Sequence, residues 1–428
     1  MKKFFMMLLL GFCVFGFSAR GAWAGEIELL VQKLVEKGVL TAGEAQTIVT
    51  ETKEEVKAQI AEGKHESLPT WLQTMKLKGD FRLRYQYDKP TGNDESRARI
   101  RARVGLEAKI NDKMKAGVGI ATGRQKDPRS TNVTLGQTGV DTAADQKNTP
   151  GSFKNLILDY AYGEFNMTKD ITLIGGKFIN PLWRPTDFLW DSDLNPEGIA
   201  LKLTHKISSV DLFMNNMMFI LDENISNDSS KYPMVGAVQP GFSYKINDTY
   251  GLKGALAAYF FSGVQERATF NGQSTNTKQG SNYKYNYNSL NPSVELSIKE
   301  PLGGVVPYAA IFSEGIFNVS KDVESSKSGV AFGVKFGAEK VSVLGDWQAK
   351  MIYAKLGQDA WLDILPDSDR YSGKTFMESY ETALAYGLGK NTYLELDYYY
   401  SQNLSKYASA PTGYRPAHLV QVDWNLKF

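Results

Sequence analysis

The chain is 428 residues long, with 49 basic and 47 acidic residues, three histidines and a formal net charge of +2 at pH 7. That balance excludes an electrostatically driven nucleic-acid binder, which would carry a basic excess. The single cysteine, Cys13, excludes a disulfide framework, and no apolar run beyond residue 24 approaches the roughly 20 residues of a membrane helix.

Lys2 and Lys3 precede an apolar run from Phe4 to Phe17, and Ala22-Trp23-Ala24 supplies small residues at a cleavage site. This is the pattern of a secretory signal peptide over residues 1–24. Its removal takes away three positive charges (Lys2, Lys3 and Arg20), so that +2 becomes −1, and it removes the only thiol. Residues 25–75 have helical spacing. Leu30, Leu34 and Val35 mark one face of a first helix that Lys37-Gly38 can end. Thr41 and Glu44 are spaced as a capping box before a second stripe of Ile48, Val49, Val56 and Ile60. So narrow a stripe suits a coiled coil, a docking hairpin or a spacer.

From Lys76 the period becomes two. Leu77, Gly79, Phe81, Leu83, Tyr85 and Tyr87 alternate with Lys78, Asp80, Arg82, Arg84 and Gln86. In Ser96–Ile110, Arg97, Arg99, Arg101 and Arg103 stand two apart between Ala98, Ile100, Ala102 and Val104. On a helix these arginines would scatter around the axis, whereas on a strand they form one row opposite an apolar face. A strand with two such faces needs two solvents, and the expectation for 76–428 is a transmembrane antiparallel β-barrel with lipid outside. Lys113 and Lys115 extend the basic side into the next strand. Seven short connections, from Asn111-Asp112 to Gly389-Lys390, interleave with eight long ones, from Asp88–Glu95 to Ser405–Gly413. About 16 strands follow, with both chain ends on the short-turn rim. Tyr85, Tyr87, Trp347, Tyr353, Tyr398, Tyr400 and Trp424 fall near strand ends, where aromatic girdles belong. The terminal Phe428 resembles the signal read by the outer-membrane insertion machinery.

A barrel of this size leaves a lumen too wide for wall side chains to fill. The third long loop, Ile179–Glu197, carries Trp183, Phe188, Leu189 and Trp190, which a solvated loop should not expose. It also carries Arg184, Asp187, Asp191, Asp193 and Glu197. We expect this loop to fold inward, with its carboxylates facing Arg82, Arg84 and the arginine row across a constriction. The acids could equally act as a brace. A mild anion preference is expected from the row.

VQKLVEKGVLTAGEAQTIVTETKEEV, then LKGDFRLRYQYD with SRARIRAR, DSDLNPEG and the final Phe428, resemble the putative porins of Gram-negative bacteria. More distantly the chain resembles the general-diffusion porins, in which an acidic third loop faces wall arginines. The resemblance implies a passive channel for small hydrophilic solutes in the bacterial outer membrane, assembled as a homotrimer and without a cofactor. His65, His205 and His418 are too dispersed to share a hydrolytic or metal site, so no enzyme is expected. Asp191-x-Asp193-x-Asn195 starts like a calcium loop, but Pro196 and Lys202 occupy the positions that need Gly and Glu. Two other readings stay open: a selective phosphate or oxyanion channel, since guanidinium binds such groups bidentately, and a barrel that anchors a periplasmic tether.

Overall fold

The computed structural model describes residues 40–41, 43–48, 50–51, 54, 70–89, 94–123, 127–136, 154–223, 231–270, 275–405 and 416–428. The chain divides into two units, Met1–Gln73 and Thr74–Phe428. In the first, Thr41 and Glu44 cap each other reciprocally. The Thr41 N–H donates to Glu44 Oε2 at 2.9 Å and the Glu44 N–H to Thr41 Oγ1 at 3.3 Å, ahead of a helical stretch over 43–48. The cleavage region, the Leu30 helix, Val49, Val56, Ile60 and His65 lie outside the described residues.

The second unit is a closed antiparallel barrel of the expected size. Its wall strands are β1 (Lys76–Lys89), β2 (Glu95–Lys109), β3 (Met114–Thr122), β4 (Leu156–Asn166), β5 (Ile171–Lys177), β6 (Glu197–Ile207), β7 (Val210–Ile220) and β8 (Met234–Lys245). They continue as β9 (Tyr250–Ser262), β10 (Ser289–Lys299), β11 (Tyr308–Asn318), β12 (Ser328–Gly337), β13 (Trp347–Leu356), β14 (Met377–Gly389), β15 (Thr392–Asn403) and β16 (Ala417–Lys427). Each pairs with its sequence neighbours, and β16 returns to β1 from Asp80↔Lys427 to Lys89↔His418. Closure leaves no edge strand, which any sheet in a bilayer requires. The two-residue strand Val133–Thr134 joins the same sheet by pairing with Arg99 and Ile100, above the point where β3 ends.

Alternation sorts the side chains by face. Leu83, Val104, Leu106, Val118, Ile120 and many like them are exposed on the outer wall. Two aromatic rows cross that surface in register. Tyr353, Tyr380, Tyr400 and His418 lie toward the long-loop rim, and Trp347, Tyr386 and Trp424, with Leu394 between the last two, toward the short-turn rim. The last residue is tied down: Phe428 and Gly79 exchange both backbone hydrogen bonds at 3.0 Å. Gly79 is needed there, because an added Cβ would lie 2.5 Å from the Phe428 ring. The expected tight turn at Lys340-Val341 is a longer folded connection over 338–346, held by Asp346 accepting from the Ser342 and Val343 N–H groups.

Inside, the barrel has two unlike halves. From β8 to β13 the inward positions include the apolar Val235, Ala257, Tyr259, Phe312, Ile316 and Leu356, all buried, beside buried polar groups such as Gln239, Asn291, Ser293 and Glu314. The apolar ones form one cluster with Phe188, Leu189, Trp190, Trp361, Leu362 and Leu365 from two long loops. From β14 round to β2 the inward positions are polar: Glu395 and Asp397, then Gln421 and Asp423, then Arg82 and Arg84, then Arg99 and Arg101.

Candidate functional site

The polar half is a lattice of opposite charges set by strand register. Asp80 lies across from Arg103, Arg82 from Arg101 and Arg84 from Arg99, while on the other side Arg84 lies across from Asp423. The Asp80 carboxylate takes Arg101 and Arg103 at 2.8 and 2.7 Å. Asp423 takes Arg84 at 2.8 Å and Arg82 at 3.1 Å. The row therefore faces inward as its alternation requires, but the wall itself already supplies carboxylates. Arg97 reaches Asp88 at 3.4 Å, and Arg99 donates to Gln86, Ser130 and the Asn132 carbonyl.

The third long loop folds inward and is stapled to the wall at three places. Gln239 on β8 brackets the Trp183 peptide, accepting from its N–H and donating to its carbonyl at 2.8 Å each. Thr186 Oγ1 donates to Glu314 on β11 at 2.9 Å. Asn195 donates to the Asp159 carbonyl and carboxylate at 3.0 and 2.7 Å. A register shift of β3 against β4 between Gly119 and Ile120 adds Asp159 as an extra residue, which turns it inward beside Tyr160. Tyr160 lies flat on the inner wall over Gly105, where a Cβ would come within 1.8 Å of its hydroxyl.

Of the loop's four acids, only Asp193 touches the arginine row, at 3.2 Å from Arg103 and 3.9 Å from Arg101. It also accepts from the Thr131 N–H and hydroxyl. Asp187 faces Arg370 at 3.7 Å, in a different loop. Glu197 opens β6 and pairs with Lys177 on β5, so it stands apart from the row. Arg184 is turned into its own loop, donating to the Trp190 carbonyl at 2.7 Å, where burial lowers its pKa. Lys113 is exposed in the turn before β3, and Lys115 meets Glu164 and Glu107 near the same rim. Neither lysine reaches the Arg82–Arg101 level. Asp191, Asp193 and Asn195 point to three different partners, so no shared calcium shell forms.

The sequence reading missed a second inward loop, over 357–376. Trp361 seats its ring against Tyr259, Phe261 and Trp190 at centroid distances of 4.7, 5.4 and 5.7 Å. Its Nε1 donates to the Leu189 carbonyl at 2.7 Å. The Asp191 N–H donates to the Leu365 carbonyl, and the Ser368 N–H to Asp191 Oδ2, both at 2.8 Å. The two loops share a motif, Asp191-Ser192-Asp193 and Asp367-Ser368-Asp369. In each, the first carboxylate accepts from the third residue's N–H, at 2.8 and 3.0 Å. In each, the third residue reaches wall arginines, Asp193 as described and Asp369 to Arg84 at 3.1 Å. The repeat, together with the nearby Trp361 and Leu362, was the legible signal.

Electrostatics distinguish the paired turns' members. Burial raises Asp191 well above the ordinary carboxylate range, with Asp193 adding to the effect. Burial likewise raises Asp367, reinforced by Asp187, Asp369 and Asp191. Burial pushes Asp369 up as well, but the Arg84 and Arg99 charges and hydrogen bonds from Gln421 and Arg84 together outweigh it and leave this carboxyl below its ordinary value. Arg370 latches the second loop to Glu381 on β14, which Lys350 on β13 also engages.

Three chambers lie along the polar half. One of about 380 Å³ sits toward the short-turn rim beside Lys78, Asp80, Arg103 and Tyr160. One of about 140 Å³ lies between the paired turns and Arg82, Arg84 and Arg101. One of about 190 Å³ lies beyond it toward the long-loop rim. The smallest is the middle one, where both loops meet the wall. Glu395, Asp397 and Asp423 are the only carboxylate group spaced for a metal ion among the described residues. Asp423 is already held by two arginines, so this trio fits a cation poorly. His205 and His418 stand on the outer wall near opposite rims, sharing no site.

The sequence profile of the family described as "Putative porin" matches residues 87–297 and 281–428. No curated protein matches the chain. Among solved structures, OprB of Pseudomonas putida at high pH is 9% identical, covering 83% of this chain and 94% of its own, with a TM-score of 0.52. A triple mutant of Rhodopseudomonas blastica porin is 10% identical over 83% of this chain and 100% of its own, at 0.44. Salmonella typhi OmpF with daunomycin is 12% identical over 82% and 97%, at 0.47. The first of these shows the shared barrel fold.

Proposed function

The chain belongs to the family described as "Putative porin", and from that premise we propose that it passes small hydrophilic solutes passively along the polar half of its barrel. Channel function and an outer-membrane location come with the family and the barrel fold. The observation that carries the finer reading is the division of the interior. One half is filled by loop aromatics, and the other holds three chambers lined with charged side chains, the smallest of them where two Asp-Ser-Asp turns meet the arginines. In this reading Arg82, Arg84 and Arg101 line the constriction with Asp193 and Asp369, and Arg103 stands on its short-turn side. Arg97 and Arg99 stand at its entrance.

The mild anion preference expected from the bare row gives way to weak selectivity. Asp80, Asp193, Asp369 and Asp423 compensate the guanidinium groups at contact distance, and paired charges leave little net field across a gap. The pairing is then both filter and brace, because the same ion pairs that hold the loops also fix the bore. A planar-bilayer reversal potential in a salt gradient tests this. We expect a small potential, and an Arg101→Glu change that shifts it toward cations. A large anion potential, or no conductance, would contradict the reading.

The exposed apolar wall and its aromatic rows support outer-membrane lipid as the surrounding phase, with Phe428 as the insertion signal. A homotrimer is the assembly that the family resemblance implies. Cross-linking in native membranes, giving three copies rather than one, is its test.

A further inference from the structure

The 190 Å³ chamber on the long-loop side of the constriction is built more like a binding site than like a passage. We propose that it is a saturable subsite for one small, neutral, polyhydroxylated solute, of monosaccharide size, which rests there before crossing the constriction. The proposal rests on the porin reading above.

Its wall brings together Arg97, Arg99, Asp88, Asp369, Tyr371 and Tyr399, so formal positive and negative charges balance. A free anion would meet two carboxylates and a free cation two guanidinium groups. A neutral solute with adjacent hydroxyls can use both, accepting from guanidinium N–H groups and donating to carboxylates. Arg97 has donors to spare. Its two ion pairs are long, at 3.4 Å to Asp88 and 3.7 Å to Glu95. Tyr371 and Ser372, which close the chamber from the second loop, are consecutive non-glycine residues in the left-handed region, at φ 50° and 57°. Such strain persists where surrounding contacts impose it, and it gathers at ligand clamps. Tyr399 is buried, with the Arg370 guanidinium 5.5 Å from its ring centroid, so that wall is preset. At about 190 Å³ the chamber has the size of a single small ring.

The test is ion current through the full-length protein in planar bilayers, with glucose, gluconate and glucosamine added in turn, since these are alike in size and differ in charge. Glucose should block the current saturably, with a half-blocking concentration independent of salt because no net charge is bound. Arg97→Gln should raise that concentration about tenfold, the equivalent of one or two hydrogen bonds. Ser372→Phe, which puts bulk into the chamber from the exposed loop tip, should abolish saturation. Saturable block by gluconate or glucosamine but not glucose would overturn the proposal, as would an open channel that no probe saturates, although in both cases the porin reading would stand. A protein that forms no channel would overturn both.

Discussion

The two halves of the barrel interior are made by the same strand alternation and end in opposite states. Between β8 and β13 the inward positions hold Val235, Ala257, Tyr259, Phe312 and Leu356, and two loops bury tryptophans against them. From β14 round to β2 the inward positions hold Arg82, Arg84, Arg101, Asp397 and Asp423, and the loops meet them with charged and polar groups, the two Asp-Ser-Asp turns among them. The wall thus chooses where each loop lands. Apolar inward positions recruit the aromatic parts of a loop, and charged ones recruit its acidic tips, since burying either against the other kind of surface would cost more.

The sharpest way to break that contrast is to free the loops from the apolar half. Trp361→Ala removes a fully buried ring that contacts Tyr259, Phe261 and Trp190. It should cost about 3–5 kcal/mol of local stability. Because the wall ladders are untouched, the barrel should persist while single-channel conductance rises and becomes noisier. Unchanged conductance would mean that the aromatic cluster does not set the bore.

A smaller effect is expected on the polar side. Asp193→Asn and Asp369→Asn each take a carboxylate from wall arginines, at a cost of about 1–3 kcal/mol. Both should move the reversal potential toward anions, and the double variant further than either single one. Equal potentials in all of them would remove the paired turns from the constriction.

How much of this was legible in the sequence differs between wall and loops. Period-two patterning made the barrel, its strand number and the inward arginine row readable, because side-chain direction on a strand is fixed by position. Partner choice was less readable. Asp80 and Asp423 lie far apart in sequence and become neighbours of the same arginines only through the register of β2, β1 and β16. The Trp361 loop carried the same anchors and the same Asp-Ser-Asp as the third loop, so its inward fold was available to a comparison of loops with one another. Glu197 was assigned by charge and Lys113 by the alternation of the strand that follows the turn, and the strand ends place both elsewhere.

Acidity should tune the polar half gradually. Burial raises Asp191 and Asp367 above their ordinary value of 3.8. With both loops seated, these groups take up protons at a higher pH than they would in detached loops. The stabilisation is fully present near the ordinary value and is lost as pH rises through the raised ones. Lowering pH from neutral should tighten the loops and also neutralise two carboxylates beside the arginines, so the reversal potential should drift toward anions. A drift toward cations would contradict these assignments. The smallest effect belongs to Glu197→Gln, whose partner Lys177 lies away from the constriction. It should change stability by under about 1 kcal/mol and leave the reversal potential unchanged.

The division of the interior is tested most directly by thiol accessibility in a Cys13→Ser background, which carries no other cysteine. Ser192→Cys places a thiol in the middle chamber, and Ala354→Cys places one in the fully buried apolar half. A charged methanethiosulfonate added to one side of a bilayer should reach Ser192→Cys and reduce its conductance at once, while Ala354→Cys stays unmodified for as long as the barrel is folded. Equal modification of the two, or modification of Ala354→Cys alone, would show that solutes do not follow the polar half.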